Sequence, residues 1–194
     1  MNLPNKLSLL RMILVPVFMV VLALPASVMP LWLSAVIGAV IFIVASITDC
    51  LDGKIARKYN LITDFGKLID PLADKFMVIG ALIMILYRAE MFRPLFVLAL
   101  TVVVFRELAV TAMRLITATK SGVAVPANML GKIKTVSQIV FVIAALIEPL
   151  FYPADFVLAD IWPLTLLSGA VMSIFTVWSG INYIVALWKY IETK

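Results

Sequence analysis

Between Met12 and Thr48 the chain runs for 37 residues without a charged side chain, broken by the prolines Pro25 and Pro30. A helix that crosses the hydrocarbon core of a bilayer needs about 20 apolar residues, so this stretch is long enough for two crossings, with the two prolines marking the turn between them. A water-soluble domain has nowhere to hide such a run. The rest of the sequence agrees: 64% of the 194 residues are hydrophobic and 14% charged, with a mean hydropathy of +1.13. Soluble domains run near ~45–50% apolar and ~25% charged. With no low-complexity stretch or Ser/Gly-rich linker, residues 1–194 read as a single domain folded in lipid. Backbone groups in lipid must pair internally, so an all-α integral membrane fold is expected.

Four more charge-poor segments follow, Phe76 to Tyr87, Pro94 to Phe105, Val136 to Ile147 and Ile161 to Trp188, which makes six spans. The first three of these are too short to cross hydrocarbon alone, so each must extend into a charged flank. Those flanks hold Asp70 and Asp74, Arg106 and Arg114, and Lys132 and Lys134. Charges at membrane depth are costly and mark a cavity that faces away from lipid. Six spans put both termini on one side. Only Arg88 and Arg93 then fall on the other, leaving 14 of the 16 Lys and Arg with the termini, so both termini are expected in the cytoplasm. Lys6, Arg11, the apolar run and Ala23 to Ala26 have the make-up of a signal peptide, but the segment is read as the first span.

The lone Cys50 excludes an internal disulfide, and the absence of histidine removes the commonest zinc ligand and general base. The net charge of +5 is scattered along apolar segments rather than gathered on a basic face, which argues against nucleic acid. The acidic residues are less evenly spread. Asp49 and Asp52 are three apart, Asp70 and Asp74 four apart, so each pair shares a helix face. These four carboxylates, which with Asp64 put five of the chain's 11 acids within 26 residues, would repel one another unless cations neutralised them. Oxygen ligands without Cys or His favour Mg²⁺ or Mn²⁺, and two such ions can clamp the entering and leaving oxygens of a phosphoryl displacement. Gly53, Ala56 and Gly66 would let a bulky ligand approach the backbone, and Arg57 offers a fork for phosphate oxygens. Asp70 followed by Pro71 also reads as the N-cap and first residue of a helix.

Taken together, Asp49-x-x-Asp52-Gly53-x-x-Ala56-Arg57, eight residues, then Gly66-x-x-x-Asp70-x-x-x-Asp74 resembles in full the signature of the CDP-alcohol phosphotransferase family. Eight fixed positions arise by chance on the order of 10⁻¹⁰ times per start. The resemblance implies transfer of a substituted phosphate from a CDP-linked donor to an alcohol, with release of CMP. It also implies that Asp49, Asp52, Asp70 and Asp74 hold two metal ions, that Asp74 is the general base, and that Gly53, Arg57 and Thr63 contact the CDP moiety. A homodimer in the bacterial cytoplasmic membrane, with the polar cavity at the cytoplasmic boundary, is implied in the same way.

Three other stretches resemble the bacterial members of that family whose substrates are CDP-diacylglycerol and sn-glycerol 3-phosphate. They are Asn5 with Ser8 and Arg11, where serine replaces the usual threonine; Phe105-Arg106-Glu107 with Arg114; and Gly131-Lys132-x-Lys134-Thr135. The implied roles are donor binding for Asn5 and Ser8, and acceptor-phosphate binding for Arg106, Arg114, Lys132 and Lys134. The competing readings are an ion pair from Arg106 and Glu107 to another span, and snorkelling anchors for the two lysines. Another acceptor, such as serine, an inositol phosphate or phosphatidylglycerol, is the alternative within the family. A divalent-cation transporter is the alternative of another class, and would spread its carboxylates across the membrane depth. Trp162, Trp178 and Trp188 read as interface or packing residues.

Overall fold

The computed structural model describes residues 2–59, 63–90, 92–121, 129–152 and 161–192. These residues form six long helices: α1 (Leu3–Ala23), α2 (Leu31–Lys58), α3 (Asp64–Arg88), α4 (Arg93–Ser121), α5 (Met129–Ile147) and α6 (Pro163–Glu192). A short 3-10 turn, Glu148–Leu150, follows α5, and there is no strand among the described residues. The uncharged run divides as expected, with the turn between α1 and α2 falling at residues 24–30. Five helices are long and apolar enough to cross a membrane. The third, α3, falls short because Asp70, Asp74 and Lys75 occupy its first half and leave only the Phe76–Tyr87 core free of charge.

One expectation is corrected. Asp70 and Pro71 do not begin a helix; α3 starts a turn and a half earlier, at Asp64. Thr63 sits in extended backbone, φ −119° and ψ 156°, and its hydroxyl accepts the Gly66 N–H at 3.0 Å. That satisfies one of the orphan donors of the first turn better than Asp70 could from inside the helix. Pro71 is therefore an interior proline, close enough to the start that it costs the helix one hydrogen bond without ending it.

α1 packs against α2 and α3, while α4 and α5 both pack against α6, and α3 bridges the two groups through α4 and α5. The mid-depth core is apolar, with Phe18, Phe42, Met77, Ala81, Phe96, Phe141 and Met172 in one contiguous cluster. Phe18 meets Phe42 at 5.9 Å and Phe96 meets Phe141 edge-on at 5.6 Å. Outward faces carry Val20, Leu98, Leu108, Leu167 and Val185, each more than 60% exposed, as a lipid-facing surface requires. At one end of the bundle Glu148 accepts the N–H groups of Leu164 at 2.8 Å and Thr165 at 2.6 Å, capping α6. At the other end, where α1, α3 and α5 begin and α2, α4 and α6 finish, most of the charged side chains gather.

Candidate active site

Arg11 organises the first part of this polar end. Its side chain is wholly buried and lies between the two carboxylates that i, i+3 spacing puts on one face of α2. Nη1 pairs with Asp49 at 2.5 Å and Nη2 with Asp52. Asp52 is buried beneath this contact, whereas the Asp49 side chain is 35% exposed.

A second group joins α1 to the start of α3. Ser8 donates to Oδ1 of Asp70, and Thr63 donates to Oδ1 of Asn5 at 3.0 Å. Gly66 is required by this close approach: a Cβ there would stand 3.0 Å from Asn5 Oδ1 and 3.2 Å from Thr63 Oγ1.

Asp74, one turn beyond Asp70, is different. Its Oδ1 is buried and has no hydrogen-bond partner among the described residues. The charges acting most strongly on it are those of Asp49, Lys134, Glu107 and Arg11, which draws α1, α2, α4 and α5 into one electrostatic unit around α3. Asp49 and Asp52 in turn both feel Asp70.

The third group spans α4, α5 and α6. Glu107 accepts from Lys134 and, at 3.1 Å, from Arg106. Arg106 also donates to Ser179 at 2.6 Å and lies over the Tyr183 ring, which Arg114 shares at 4.7 Å. Gly180 leaves the room for this, since a Cβ there would meet Arg106 Cγ at 3.0 Å.

A cleft of about 560 Å³ brings these parts together, with Asp49, Gly53 and Asp74 on one side and Arg106, Glu107, Arg114, Lys132 and Lys134 on the other. Asn5, Ser8, Asp52, Thr63, Gly66 and Asp70 are not among its walls and support it from behind. Ala56 is half-buried on α2 away from the cleft, and the side chain of Arg57 lies outside the described part of the structure. Among the described residues no three acidic or thiol side chains converge as they stand on one metal position. The Arg11 guanidinium lies between Asp49 and Asp52, and Asp70 is engaged by Ser8. The sequence expectations for the cations also divide: Lys134 and Arg106 are tied to Glu107, whereas Lys132 and Arg114 are exposed in the cleft with no ion pair among the described residues, Arg114 lying over Tyr183.

Sequence reasoning missed the pairing of Arg11 and, though it weighed an ion pair from Arg106 and Glu107 to another span, the bridging of Arg106 and Lys134 by Glu107; it missed Ser179 and Tyr183 altogether. A signal existed for the first two. Arg11 is the last charge before the uncharged run, and a cation at that depth needs a buried partner. Glu107 is the only acid on α4. Ser179 and Tyr183 carry no such mark.

A family profile described as CDP-alcohol phosphatidyltransferase matches residues 1–188. Among curated relatives, a Bacillus subtilis protein named CDP-diacylglycerol–glycerol-3-phosphate 3-phosphatidyltransferase is 42% identical over 100% of this chain and 98% of its own. Proteins of the same name from Sodalis glossinidius and Rickettsia bellii are 33% and 38% identical, covering 96% and 71% of this chain and 94% and 70% of their own lengths.

Proposed function

This chain belongs to the CDP-alcohol phosphatidyltransferase family, and from that premise we propose that it transfers the phosphatidyl group of CDP-diacylglycerol to sn-glycerol 3-phosphate, giving phosphatidylglycerol phosphate and CMP. The observation that carries this reading is the cleft in which Asp49 and Asp74 face a set of cations contributed by α4 and α5. An acceptor that is itself a phosphate needs such a set, because a dianion brought to the membrane boundary loses hydration and must be repaid by charge-assisted hydrogen bonds. Lys132, Lys134, Arg106 and Arg114 are assigned to that phosphate. The four aspartates gather at one end of the bundle instead of lining its length, contrary to what ion transport would ask for.

The four aspartates fit a pair of divalent ions in their chemistry. They are hard oxygen donors in mutual electrostatic contact, and the orphaned Oδ1 of Asp74 marks a buried oxygen in want of a cation. Asp49, Asp52, Asp70 and Asp74 would hold Mg²⁺ or Mn²⁺, which when bound would polarise the diphosphate and stabilise the charge that develops on departing CMP. Asp74 then takes the proton of the acceptor hydroxyl at its carboxylate, so that the oxygen attacks the lipid-linked phosphorus as the bond to CMP breaks. On the donor side Gly53, Ala56 and Gly66 keep the backbone approachable, while Arg57, Thr63, Asn5 and Ser8 supply polar contacts to CDP-diacylglycerol.

In the same proposal α3 is the sixth span and both termini face the cytoplasm of a bacterial inner membrane, with the protein a homodimer. The Lys/Arg distribution supports this side for the site, where lipid tails stay in the bilayer while CDP and glycerol phosphate come from water. The deciding experiment is CMP release from CDP-diacylglycerol by the detergent-solubilised protein with Mg²⁺ or Mn²⁺ and a panel of acceptors. Turnover should require sn-glycerol 3-phosphate. Equal or faster release with serine, inositol phosphate or phosphatidylglycerol would replace the acceptor, and metal-independent release would remove the ions.

A further inference from the structure

A second cavity, about 420 Å³, lies at the end of the bundle away from the aspartates, between the start of α2, the end of α3 and the end of α5. Leu31 in its wall and Asp49 in the first cleft are 18 residues apart on α2, so roughly 27 Å separates the two at 1.5 Å per residue. Its walls are apolar, from Ala35, Ile85 and Leu146, with Trp32 and Trp162 beside them and one charged side chain, Arg88. Arg88 is half-buried. Its Nη2 donates to the Leu31 carbonyl at 3.0 Å, but its Nη1 is buried without an acceptor among the described residues. No carboxylate among the described residues pairs with it, whereas the neighbouring cation Arg93 has Glu90 at 3.5 Å.

A guanidinium nitrogen withdrawn from water without an anion is costly. The N-terminus of α2 points its positive end here, with no acid in its first turn and no side-chain cap. The cavity therefore combines a guanidinium nitrogen without an acceptor with walls that suit a hydrocarbon chain. A hydrated free phosphate would lose water against those walls, whereas a phosphodiester joined to acyl chains gains from both parts. Tryptophan at headgroup depth belongs to the same setting.

We propose that this cavity is a binding site for an anionic phospholipid of the leaflet opposite the active site, with Arg88 holding a phosphate oxygen and the apolar wall taking the upper part of an acyl chain. This rests on the bundle crossing the bilayer and not on the reaction it performs. The test uses the full chain carrying Trp178→Phe and Trp188→Phe, so that Trp32 and Trp162 become the main fluorescent reporters, reconstituted in phosphatidylcholine nanodiscs. Phosphatidylglycerol brominated high on its acyl chains should quench their emission saturably and at a lower mole fraction than equally brominated phosphatidylcholine. Arg88→Gln should raise the half-quenching fraction of phosphatidylglycerol about tenfold, the size of one lost charge-assisted contact, while CMP release at the distant cleft persists. Equal quenching by the two lipids in the parent overturns the proposal without recourse to any variant, as does parental quenching in a folded Arg88→Gln protein. Displacement of the brominated lipid by millimolar inorganic phosphate would overturn the lipid source in favour of a soluble anion.

Discussion

Asp74 stands apart from the other three aspartates of the motif because no cationic or hydroxyl partner among the described residues is drawn up against its buried oxygen. Asp74→Asn keeps the shape and removes the basic oxygen, so turnover should fall by at least the ~10²-fold typical of a lost general base, with CDP-diacylglycerol binding retained. CMP release and equilibrium binding of the donor separate the two effects. Arg11 is the opposite case, a cation wholly enclosed by its two carboxylates. Arg11→Met should destabilise the protein by about 3 kcal/mol or more, because Asp52 is left as a buried charge beside Asp49. The thermal midpoint in detergent should drop and recover in part with millimolar Mg²⁺; an unmoved midpoint would deny Arg11 this role. The two lysines differ in the same manner. Lys132→Ala should raise the KM for sn-glycerol 3-phosphate about tenfold and leave that for CDP-diacylglycerol near parental. Lys134→Ala should in addition lower stability, since Glu107 loses one of its two cationic partners; identical behaviour of the two variants would count against the distinction. The spacing of the acids in sequence made Asp49 and Asp52 neighbours in advance, because helix geometry fixes i and i+3. It could not pair Arg11 with them, because that depends on how closely α1 approaches α2.

Among the elements, α3 carries most of the tension between local signal and final structure. Its start was misread at Asp70 because proline favours the first helical position, yet Thr63 offers an extended backbone and a hydroxyl aimed at Gly66. The same hydroxyl binds Asn5, so one side chain both begins α3 and fastens it to α1. Thr63→Val keeps the shape and should cost about 1 kcal/mol, seen as a lower thermal midpoint, with weakened donor binding as α1 and α3 loosen. Retention of both would show that another group caps the helix. The extents of α4 and α5 were easier to foresee. Cores of about a dozen apolar residues had to be prolonged through Arg106 and Arg114, or back through Lys134 and Lys132, since an unpaired backbone at that depth is not tolerated.

At the scale of the whole molecule, two ends of different character are joined by an apolar middle, and the side of the membrane each faces is open to direct test. Cys50 is the only cysteine in the chain, is exposed, and lines the cleft beside Asp49. A membrane-impermeant maleimide should label it in inverted vesicles and spare it in intact cells, and CDP with Mg²⁺ should slow the labelling. Labelling from outside intact cells would reverse the orientation. The division into an end that gathers the four aspartates with most of the cations and an end with few charges was legible because charge is scarce in such a sequence, whereas the second cavity was not, as Arg88 alone gives no hint of what surrounds it. The site draws on Asn5 near one extremity of the chain and on Ser179 and Tyr183 near the other. During synthesis, then, the acids and their arginine can settle early, but the stage beneath Arg106 and Arg114 arrives only with the final helix. A polypeptide halted before that point would rest in the bilayer as inert hairpins, unable to consume the activated lipid around it.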